Sequence, residues 1–338
     1  MTGVQQYALK LSNYLKEKLG NEVEFVSPQG IIHTALAEKL DVKIIGNTKG
    51  FFWEQVELPF WLKKEKSPLL VNFGNVAPQY YSNQIVTIHD LSTLEHPEWY
   101  SSKFSRAYKF MIPQVVQNAK KVIAVSNFTK KRIVDLLETD SSKIEVIYNT
   151  IEKDNSNIIV DNHHPYFLSV GSFSGRKNFT TLIKAFKSAD IEGVKLKIRG
   201  DNEDIFKGEG ELIESAANHE RIQFIEPLNY TAYLELIRNA TALINTSIYE
   251  GFGMPNLEAL SLGVPVICSN IEVFREVSGH CATYVEPVNE LELSEALKEI
   301  LSRDSSQRDK SDRVKQASSF NISAEGEKLV NLITQTIS

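Results

Sequence analysis

The chain has 338 residues, which is long for one hydrophobic core, so about two domains are expected. Its apolar fraction of 42% and charged fraction of 24% are those of a soluble globular protein. A net charge of −6 argues against nucleic acid as a main partner. There is no run of 18 apolar residues and no basic-then-apolar N-terminal pattern. Together with two cysteines, Cys268 and Cys281, that lack metal-ligand neighbours in the sequence, this favours a cytoplasmic protein with reduced thiols.

Short β-branched runs alternate with longer amphipathic segments in the first half of the chain, a pattern typical of parallel α/β sheets. Helical spacing predicts helices over residues 4–19, 101–119 and 127–138. The predicted strands are, in chain order, EVEFVS, VKIIGN, LLVNFG, QIVTIHD, KVIAVS and IEVIYN.

The same rhythm restarts after an Asn-rich polar stretch at residues 148–165, which is typical of a linker. The second set of predicted strands is YFLSVG, VKLKIRG, IQFIEP, ALINTS, PVICS and ATYVEP. The sequence therefore predicts an α/β fold class, with two Rossmann-like doubly wound domains facing across a cleft. We place the N-terminal domain at 1–155, the C-terminal domain at 156–322 and a terminal helix at 323–338. One possibility that we consider is that this helix crosses back to the N-terminal domain.

The start of the chain departs from the usual order of such a domain. A doubly wound domain opens with a strand that feeds a Gly-containing turn into the first helix. Here Gly3 stands at that turn, and no strand precedes it in the sequence. We therefore expect that a first strand of about ten residues lies upstream or was never encoded.

Two adjacent cations follow the first predicted strand of the second domain, in SVGSFSGRKNFTTLIKAF. Arg176 and Lys177 stand where a helix starting near Asn178 concentrates unpaired backbone N–H groups and positive charge. A diphosphate at this position is one explanation, and a solvated Arg-Lys pair on a loop is the other. No GxxxxGK[ST] motif is present, which disfavours ATP hydrolysis.

A second candidate site lies in NTSIYEGFGMPNLEAL, where a predicted strand runs into a glycine turn and a helix. Gly251 and Gly253 allow backbone amides to approach a ligand closely, and Pro255 suits the first position of a helix. Glu250 precedes the turn, and Glu258 falls in the first part of the helix. Glu258 alone could be an ordinary first-turn acid. The whole string is better explained by a ligand site.

The first domain offers fewer candidates. His89 and Asp90 follow the predicted strand QIVTIHD, so they are expected at the ligand edge of the sheet, although a lone histidine is more often structural. Ser126 is expected to cap a helix. No Asp-x-Asp motif and no histidine or cysteine cluster indicates a metal, and no GxSxG or Cys-His pair indicates a nucleophile.

These motifs resemble those of the retaining glycosyltransferases of family 4, which have the GT-B fold. SIYEGFGMPNLEALSLGVPVICSN, with its two acids spaced as E-x7-E, is similar to the family signature, and VGSFSGRKNFTTLIKAF is similar to its donor-diphosphate segment. TIHDLSTLEHPEWY and GVQQYALKL resemble the N-terminal domain of the family.

The resemblance implies that the C-terminal domain binds a nucleoside-diphosphate sugar and that the N-terminal domain binds the acceptor. By position, Arg176 and Lys177 neutralise the diphosphate, and Glu258 binds the ribose hydroxyls. The remaining implied donor contacts are Glu250 with Gly251, Phe252, Gly253 and Met254 at the sugar, Leu228 near the base, Gly3 at the diphosphate and His89 at the sugar.

The resemblance also implies the reaction: retaining, metal-independent transfer of a hexose, with mannose, rhamnose or glucose as candidates, in synthesis of a surface polysaccharide. The acceptor is expected to be a saccharide or a lipid-linked saccharide. The aromatic and basic segment FWLKKEK suggests peripheral contact with the inner membrane face. The alternative is that these are ordinary surface residues. Two alternatives stay open: a sugar-nucleotide epimerase of the same fold, and a non-catalytic partner subunit that binds a sugar nucleotide.

Overall fold

The computed structural model describes residues 3–151, 165–200, 216, 218–302 and 306–337, and the architecture below is that of these residues. The chain divides into two compact units. The first contains Met1–Leu91, Arg106–Thr150 and Asn321–Ser338, and the second contains Ser92–Ser105 and Ile151–Phe320. The boundary expected at 155/156 and most of the expected linker lie outside the described residues.

The first unit contains a four-stranded parallel sheet of order β3-β4-β5-β6 and a separate two-stranded sheet, β1-β2. Each predicted strand run of the first half contains one of the six strands. Their bounds are β1 (Val26–Ser27), β2 (Lys43–Ile44), β3 (Leu70–Asn72), β4 (Gln84–Ile88), β5 (Lys121–Ala124) and β6 (Ile144–Val146).

The helices of the first unit include the three that the sequence predicted. They are α1 (Gly3–Leu19), α2 (Thr34–Lys39), α3 (Gly50–Phe52), α4 (Leu58–Lys64), α6 (Ser102–Asn118), whose first residues count with the second unit, α7 (Asn127–Leu137) and the terminal α14 (Ile322–Ile337). A π-helical turn over Trp53–Glu57 joins α3 and α4 into one helical stretch. The sequence did not predict this stretch, because its exposed side carries Phe52, Val56 and Phe60 and so lacks an ordinary polar face.

The terminal helix α14 packs on α1 within the first unit. The ring of Tyr14 lies directly over Gly326, and the Tyr14 hydroxyl donates a hydrogen bond of 2.6 Å to Glu327. Glu325, buried on the same helix, accepts a hydrogen bond of 2.8 Å from the backbone N–H of Tyr148. These contacts attach the last helix to the region where the first unit's sheet ends.

The second unit is built on a six-stranded parallel sheet of order β12-β11-β10-β7-β8-β9. Its strands are β7 (Tyr166–Val170), β8 (Lys195–Arg199), β9 (Ile222–Ile225), β10 (Ala242–Asn245), β11 (Val266–Ser269) and β12 (Ala282–Val285). Its described helices are α5 (Ser92–Glu95), α8 (Phe179–Ala189), α9 (Tyr230–Arg238), α10 (Met254–Ser261), α11 (Glu272–Ser278), α12 (Glu290–Ser302) and α13 (Gln307–Ser318).

The strand order of the second unit creates a topological switch point. From β7 the chain builds outward through β8 to β9, and it then returns to the other side of β7 to build β10, β11 and β12. The loops after β7 and β10 therefore diverge to opposite sides, which leaves a crevice at the carboxyl ends of these two strands. Ligands of open α/β sheets bind at such a crevice. The two strongest sequence motifs follow β7 and β10, so both lie at this crevice.

Large side chains fill the core between this sheet and its helices. Phe167 of β7 and Phe186 of α8 are fully buried and meet edge to face, with ring centroids 6.4 Å apart. Phe179, at the start of α8, belongs to the same cluster. Burial of each such ring contributes on the order of 2 kcal/mol, so the central strands hold the switch point on a rigid base.

Candidate active site

Arg176, Lys177 and Glu250 form a buried ion triad at the switch point of the second unit. Arg176 Nη1 lies 2.8 Å from Glu250 Oε2, and Lys177 Nζ donates to Glu250 Oε1. Only 8% of Glu250 and 7% of Lys177 is exposed. Both cations are therefore paired with a carboxylate of the protein itself, and the alternative of a solvated Arg-Lys pair on a loop is wrong.

Backbone contacts tie the two loops of the triad together. The residues Gly175–Lys177 form a 3₁₀ turn between β7 and α8. The backbone N–H of Ile248 donates to the carbonyl of Arg176 over 2.8 Å, and the Thr246 hydroxyl donates to the carbonyl of Lys177 over 2.9 Å. Because each cation is bonded through both its main chain and its side chain, the turn after β7 and the segment after β10 form one framework.

Gly171 provides the space for the lysine side chain. A Cβ atom at this position would lie 2.8 Å from Lys177 Cδ, closer than real Cβ contacts allow. The glycine at the end of β7 thus lets the aliphatic stem of Lys177 cross the main chain and reach Glu250. Its role is a close approach of a side chain to the main chain, which the sequence analysis did not predict.

Burial and the two cations act in opposite directions on Glu250. Burial raises the pKa of its carboxyl group, but the charges of Arg176 and Lys177 and their hydrogen bonds outweigh that effect and lower the pKa to about 2. Glu250 is therefore ionised at neutral pH, and it acts as a hydrogen-bond acceptor rather than as a general acid. The triad as a whole carries a net charge of +1.

A buried chain of polar groups links Glu250 to the start of α10. The Ser247 hydroxyl lies 3.0 Å from Glu250 Oε1 and 2.8 Å from Asn245 Oδ1. Asn245 Nδ2 in turn donates to Asn256 Oδ1 over 2.8 Å. Ser247, Asn245 and Asn256 are all buried. This chain fixes the carboxylate against α10, and sequence analysis did not single out any of its three residues.

Glu258 is held by two tyrosines of α9. The Tyr233 hydroxyl donates to Glu258 Oε2 over 2.6 Å, and the Tyr230 hydroxyl lies 3.5 Å from Oε1. Burial, followed by the charge of Glu258, raises the pKa of Tyr233 well above its usual range, so Tyr233 remains a donor at all ordinary pH values. Glu258 is 5% exposed, so it is a built part of the site rather than a solvated first-turn acid.

The glycine turn between the two glutamates has a backbone that only glycine adopts easily. Gly253 has φ of +97°, and a Cβ atom there would lie 2.7 Å from the ring of Phe274. Helix α10 begins at Met254, one residue before the predicted first position, Pro255. Phe252 points into the core and meets Phe320 edge to face at 5.6 Å. The side chain of Phe252 is therefore not available to a ligand.

The turn after β7 contains buried polar atoms without a hydrogen-bond partner among the described residues. Ser174 Oγ and Asn178 Nδ2, which flank the two cations in sequence, are examples. Leaving such a group without a partner costs about 1–3 kcal/mol. The turn therefore retains hydrogen-bonding capacity next to its positive charge, as an anion site requires.

The other predicted site residues fall in different places. Leu228 is half-buried in the loop between β9 and α9 of the second unit. Gly3 and His89 belong to the first unit, where Gly3 is the exposed first residue of α1. The expected helix cap is confirmed, since Ser126 accepts a hydrogen bond of 3.0 Å from the backbone of Thr129.

His89 is buried within the first unit directly after β4. Its Nε2 lies 2.8 Å from the carbonyl oxygen of Phe73, so that nitrogen carries the proton, and the ring of Tyr7 packs edge-on at 5.2 Å. Burial lowers the pKa of His89, partly offset by the bond to Phe73 and the charge of Asp90. The imidazole is therefore neutral at pH 7, with Nδ1 as an acceptor. Among the described residues no cluster of three or more metal-ligating side chains occurs.

The fold of the whole chain is that of the GT-B glycosyltransferases. The crystal structure of WaaG, a glycosyltransferase involved in lipopolysaccharide biosynthesis, aligns with a TM-score of 0.73 at 15% identity, covering 99% of this chain and 96% of that one. Residues 150–318 match the family model of the group 1 glycosyl transferases, and residues 1–155 match that of glycosyltransferase family 4. The chain therefore belongs to the family 4 glycosyltransferases, and the family resemblance of its motifs is confirmed.

Two relatives in sequence are mannosyltransferases. The O-antigen chain mannosyltransferase RfbU of Salmonella typhimurium is 29% identical over 319 residues, which cover 88% of this chain and 87% of that protein. The O-antigen chain mannosyltransferase B of Escherichia coli is 25% identical over 227 residues, covering 62% of this chain and 59% of that protein.

The glycine turn yields a prediction that separates backbone strain from steric conflict. Gly253→Ala places a side chain at a left-handed φ and against Phe274, so we expect it to lower the free energy of unfolding by about 2–4 kcal/mol. Gly193→Ala is the matched control, because Gly193 has φ of +72° with nothing within 4 Å of the added Cβ. It should cost only about 1 kcal/mol. Equal losses in urea denaturation would contradict the close contact with Phe274.

The lowered pKa of Glu250 predicts a pH dependence of stability. A carboxyl with a folded-state pKa of about 2 and a usual value of 4.5 stabilises the fold above pH 4.5, and this contribution disappears as the pH falls toward 2. At about 1.4 kcal/mol per pKa unit, the full contribution is about 3 kcal/mol.

The measurement is urea denaturation at pH 6 and pH 3.5 for the wild type and Glu250→Gln. We expect the wild type to lose about 1 kcal/mol more than the variant between these pH values. Glu290→Gln, which removes the carboxylate of a surface ion pair with Lys184, serves as the control. An identical pH dependence of wild type and Glu250→Gln would refute the strong coupling of the triad.

Proposed function

We propose that the protein is a retaining, metal-independent hexosyltransferase that moves a sugar from a nucleoside-diphosphate sugar to a saccharide or lipid-linked saccharide acceptor. We further propose that it acts in the synthesis of a surface polysaccharide and that mannose is the first donor sugar to test. Both sequence relatives described above are O-antigen chain mannosyltransferases, which supports this choice.

The observation that carries the proposal is the ion triad at the switch point. Arg176 and Lys177 bring two positive charges to a buried place, and Glu250 compensates only one of them. A diphosphate supplies the further negative charge that the turn favours, and the N–H groups at the start of α8 add to its binding. Ser174 and Asn178 offer buried polar atoms at the same turn.

The same groups account for the acceleration of transfer. Cleavage of the bond between the anomeric carbon and the diphosphate oxygen develops negative charge on the leaving group. Arg176 and Lys177 stabilise that charge in a largely water-excluded place, where such interactions are strongest. Because the triad holds the cations in position beforehand, little reorganisation is needed during the reaction.

Glu250 takes a second role once the diphosphate engages the cations. Its ionised carboxylate, anchored by Ser247, accepts hydrogen bonds from hydroxyls of the donor sugar. Backbone amides of the turn Gly251–Met254 contact the sugar from the same side, which the left-handed backbone of Gly253 makes accessible. Glu258, oriented by Tyr233, accepts hydrogen bonds from the ribose hydroxyls. Leu228 lies on the loop that we assign to the nucleobase.

Retention follows from a front-face displacement. The acceptor oxygen forms its bond to the anomeric carbon on the side from which the diphosphate leaves, and the acceptor proton passes to a departing phosphate oxygen. Glu250 does not serve as a nucleophile in this scheme, because its charge is already balanced by two cations. From the family resemblance we assign His89, with Nδ1 as the acceptor, to a hydroxyl of the sugar, and the start of α1 at Gly3 to the diphosphate.

Arg176→Ala tests the proposal directly. Loss of one stabilising cation should lower kcat of hexosyl transfer roughly 10²- to 10³-fold. The donor is chosen by a thermal-shift screen of GDP-, UDP- and dTDP-sugars, since a bound ligand raises the unfolding temperature. Lys184→Ala is the control, because it removes an exposed cation from α8, the helix that follows the turn of Arg176.

Each outcome of this assay separates the candidate functions. Wild-type turnover by Arg176→Ala would end the diphosphate assignment. Conversion of donor into a different sugar nucleotide without any acceptor would identify an epimerase instead. Donor binding without transfer to any acceptor in a broad panel would identify a binding subunit.

We also propose that the first unit contacts the inner membrane face through an apolar stripe on the helical stretch of residues 50–64. The stripe consists of Phe51, Phe52, Val56 and Phe60, all exposed, with Phe60 at 75%. Three exposed lysines, Lys63, Lys64 and Lys66, follow it directly. Exposed rings beside a basic cluster match the boundary of an anionic bilayer. None of the described helices is long and apolar enough to span a membrane.

Vesicle binding tests this surface. The double variant Phe52→Ser/Phe60→Ser removes two rings whose burial contributes about 2 kcal/mol each, so co-sedimentation with anionic vesicles should fall at least tenfold. Tyr80→Ser is the control, because Tyr80 is 82% exposed on the same unit but outside the stripe. Wild-type binding that is indifferent to the anionic lipid content would refute the contact.

A further inference from the structure

Residues 92–105, which we name the brace segment, belong to the second unit although they follow β4 in the chain. The segment has its own local structure: the short helix α5, a 3₁₀ turn over Pro97–Trp99 and the start of α6. The hydroxyls of Ser92 and Tyr100 are hydrogen-bonded to each other, and the rings of Tyr100 and Phe104 stack at 5.6 Å. The segment is thus a folded element rather than a connection of undefined shape.

The brace segment contacts the residue before Glu250. The Tyr249 hydroxyl donates a hydrogen bond of 2.6 Å to Glu95. The rings of His96 and Trp99 stack at 4.0 Å, and both meet the Tyr249 ring at an angle, with centroids 5.5 and 6.4 Å away. Tyr249 is 6% exposed, so its ring and its hydroxyl are both held in place.

The same segment contacts the residue before Arg176. A Cβ atom on Gly175 would lie 3.0 Å from Trp99 Cδ1, so the indole ring rests directly on the glycine main chain. The two contacted loops are also bonded to each other, through the backbone N–H of Ile248 and the carbonyl of Arg176. The brace segment therefore touches each loop one residue before its charged member of the ion triad.

We propose that Trp99, Glu95 and Tyr249 are positioning residues that set the geometry of Arg176 and Glu250. The inference rests on the proposed transfer function. Both charged residues follow strand ends on irregular backbone, and a site on such backbone needs support from packed neighbours to hold its geometry. A misplacement of about 1 Å can cost roughly 10²-fold in rate. The rings of His96 and Trp99 supply that support from a part of the chain that is distant in sequence, by packing on Tyr249 and Gly175.

A double-mutant cycle separates positioning from general packing. Trp99→Ala should lower kcat of transfer roughly 10- to 100-fold while KM for the donor changes less than about threefold. In an Arg176→Ala background the same change should lower kcat less than about threefold, because the residue through which Trp99 acts is already gone. Tyr249→Phe, which keeps the ring and loses the bond to Glu95, should lower kcat roughly 3- to 10-fold.

Two further variants complete the design. Trp99→Phe keeps an aromatic ring at the position and should restore most of the activity lost in Trp99→Ala. Tyr166→Phe is the matched control, because it removes the hydroxyl of another buried tyrosine. Tyr166 is the first residue of β7, and its hydroxyl donates a hydrogen bond of 2.7 Å to the carbonyl of Leu236. It should leave kcat unchanged.

The outcomes distinguish this inference from the proposed function. An equal fall in kcat from Trp99→Ala in both backgrounds, with Arg176 still essential, would overturn the positioning role and leave transfer intact. The same cycle is read by binding of GDP and UDP in calorimetry, so that it is informative even for a protein that transfers nothing. The free nucleoside diphosphate carries the leaving-group charge that the intact donor lacks, so its binding reports the position of Arg176 more directly than KM for the donor does. Trp99→Ala should weaken this binding at least threefold when Arg176 is present and not in Arg176→Ala, and additive effects would overturn the inference.

Discussion

The second unit depends on a charge balance that the protein maintains internally. Two cations and one carboxylate are removed from water at a place where an isolated charge would be very costly. Glu250 makes this burial tolerable, and Ser247, Asn245 and Asn256 hold it in a single orientation. Removal of either charge type therefore affects more than one contact, because the remaining charges stay buried without compensation.

The topology of the sheet explains why these residues meet. Arg176 and Lys177 follow β7, and Glu250 follows β10, which lies beside β7 although about 70 residues separate the two segments. The reversal of strand order opens the crevice, and small residues such as Gly171 let long side chains cross it. The reversal of strand order and the small residues do not by themselves specify a ligand. The particular pairing of cations and carboxylates at this crevice is the basis on which we propose a sugar nucleotide as its ligand.

The strands and the main candidate site residues could be predicted from the sequence. The remaining contacts of the site could not, for physical reasons. The twelve strands of the described residues all lie within the predicted runs, and in the two larger parallel sheets this follows because a sheet covered by helices demands β-branched and apolar residues. Arg176 and Glu250 stand out through their neighbours in the chain. Tyr233 and Asn256 do not, since their partners are brought to them only by tertiary packing. The contacts of Trp99 with Gly175 are hidden for the same reason, and the roles of the site residues remain predictions.

The pairing of Glu250 with both cations has a consequence for selectivity in the cell. An incoming anion has to compete with a carboxylate that is already bonded to both cations. Inorganic phosphate brings few contacts beyond its charge, whereas the sugar nucleotide that we propose as donor would also engage the turn amides and Glu258. On the proposed function, the built-in carboxylate would set a threshold that discriminates against small anions and would keep the crevice available for the larger donor.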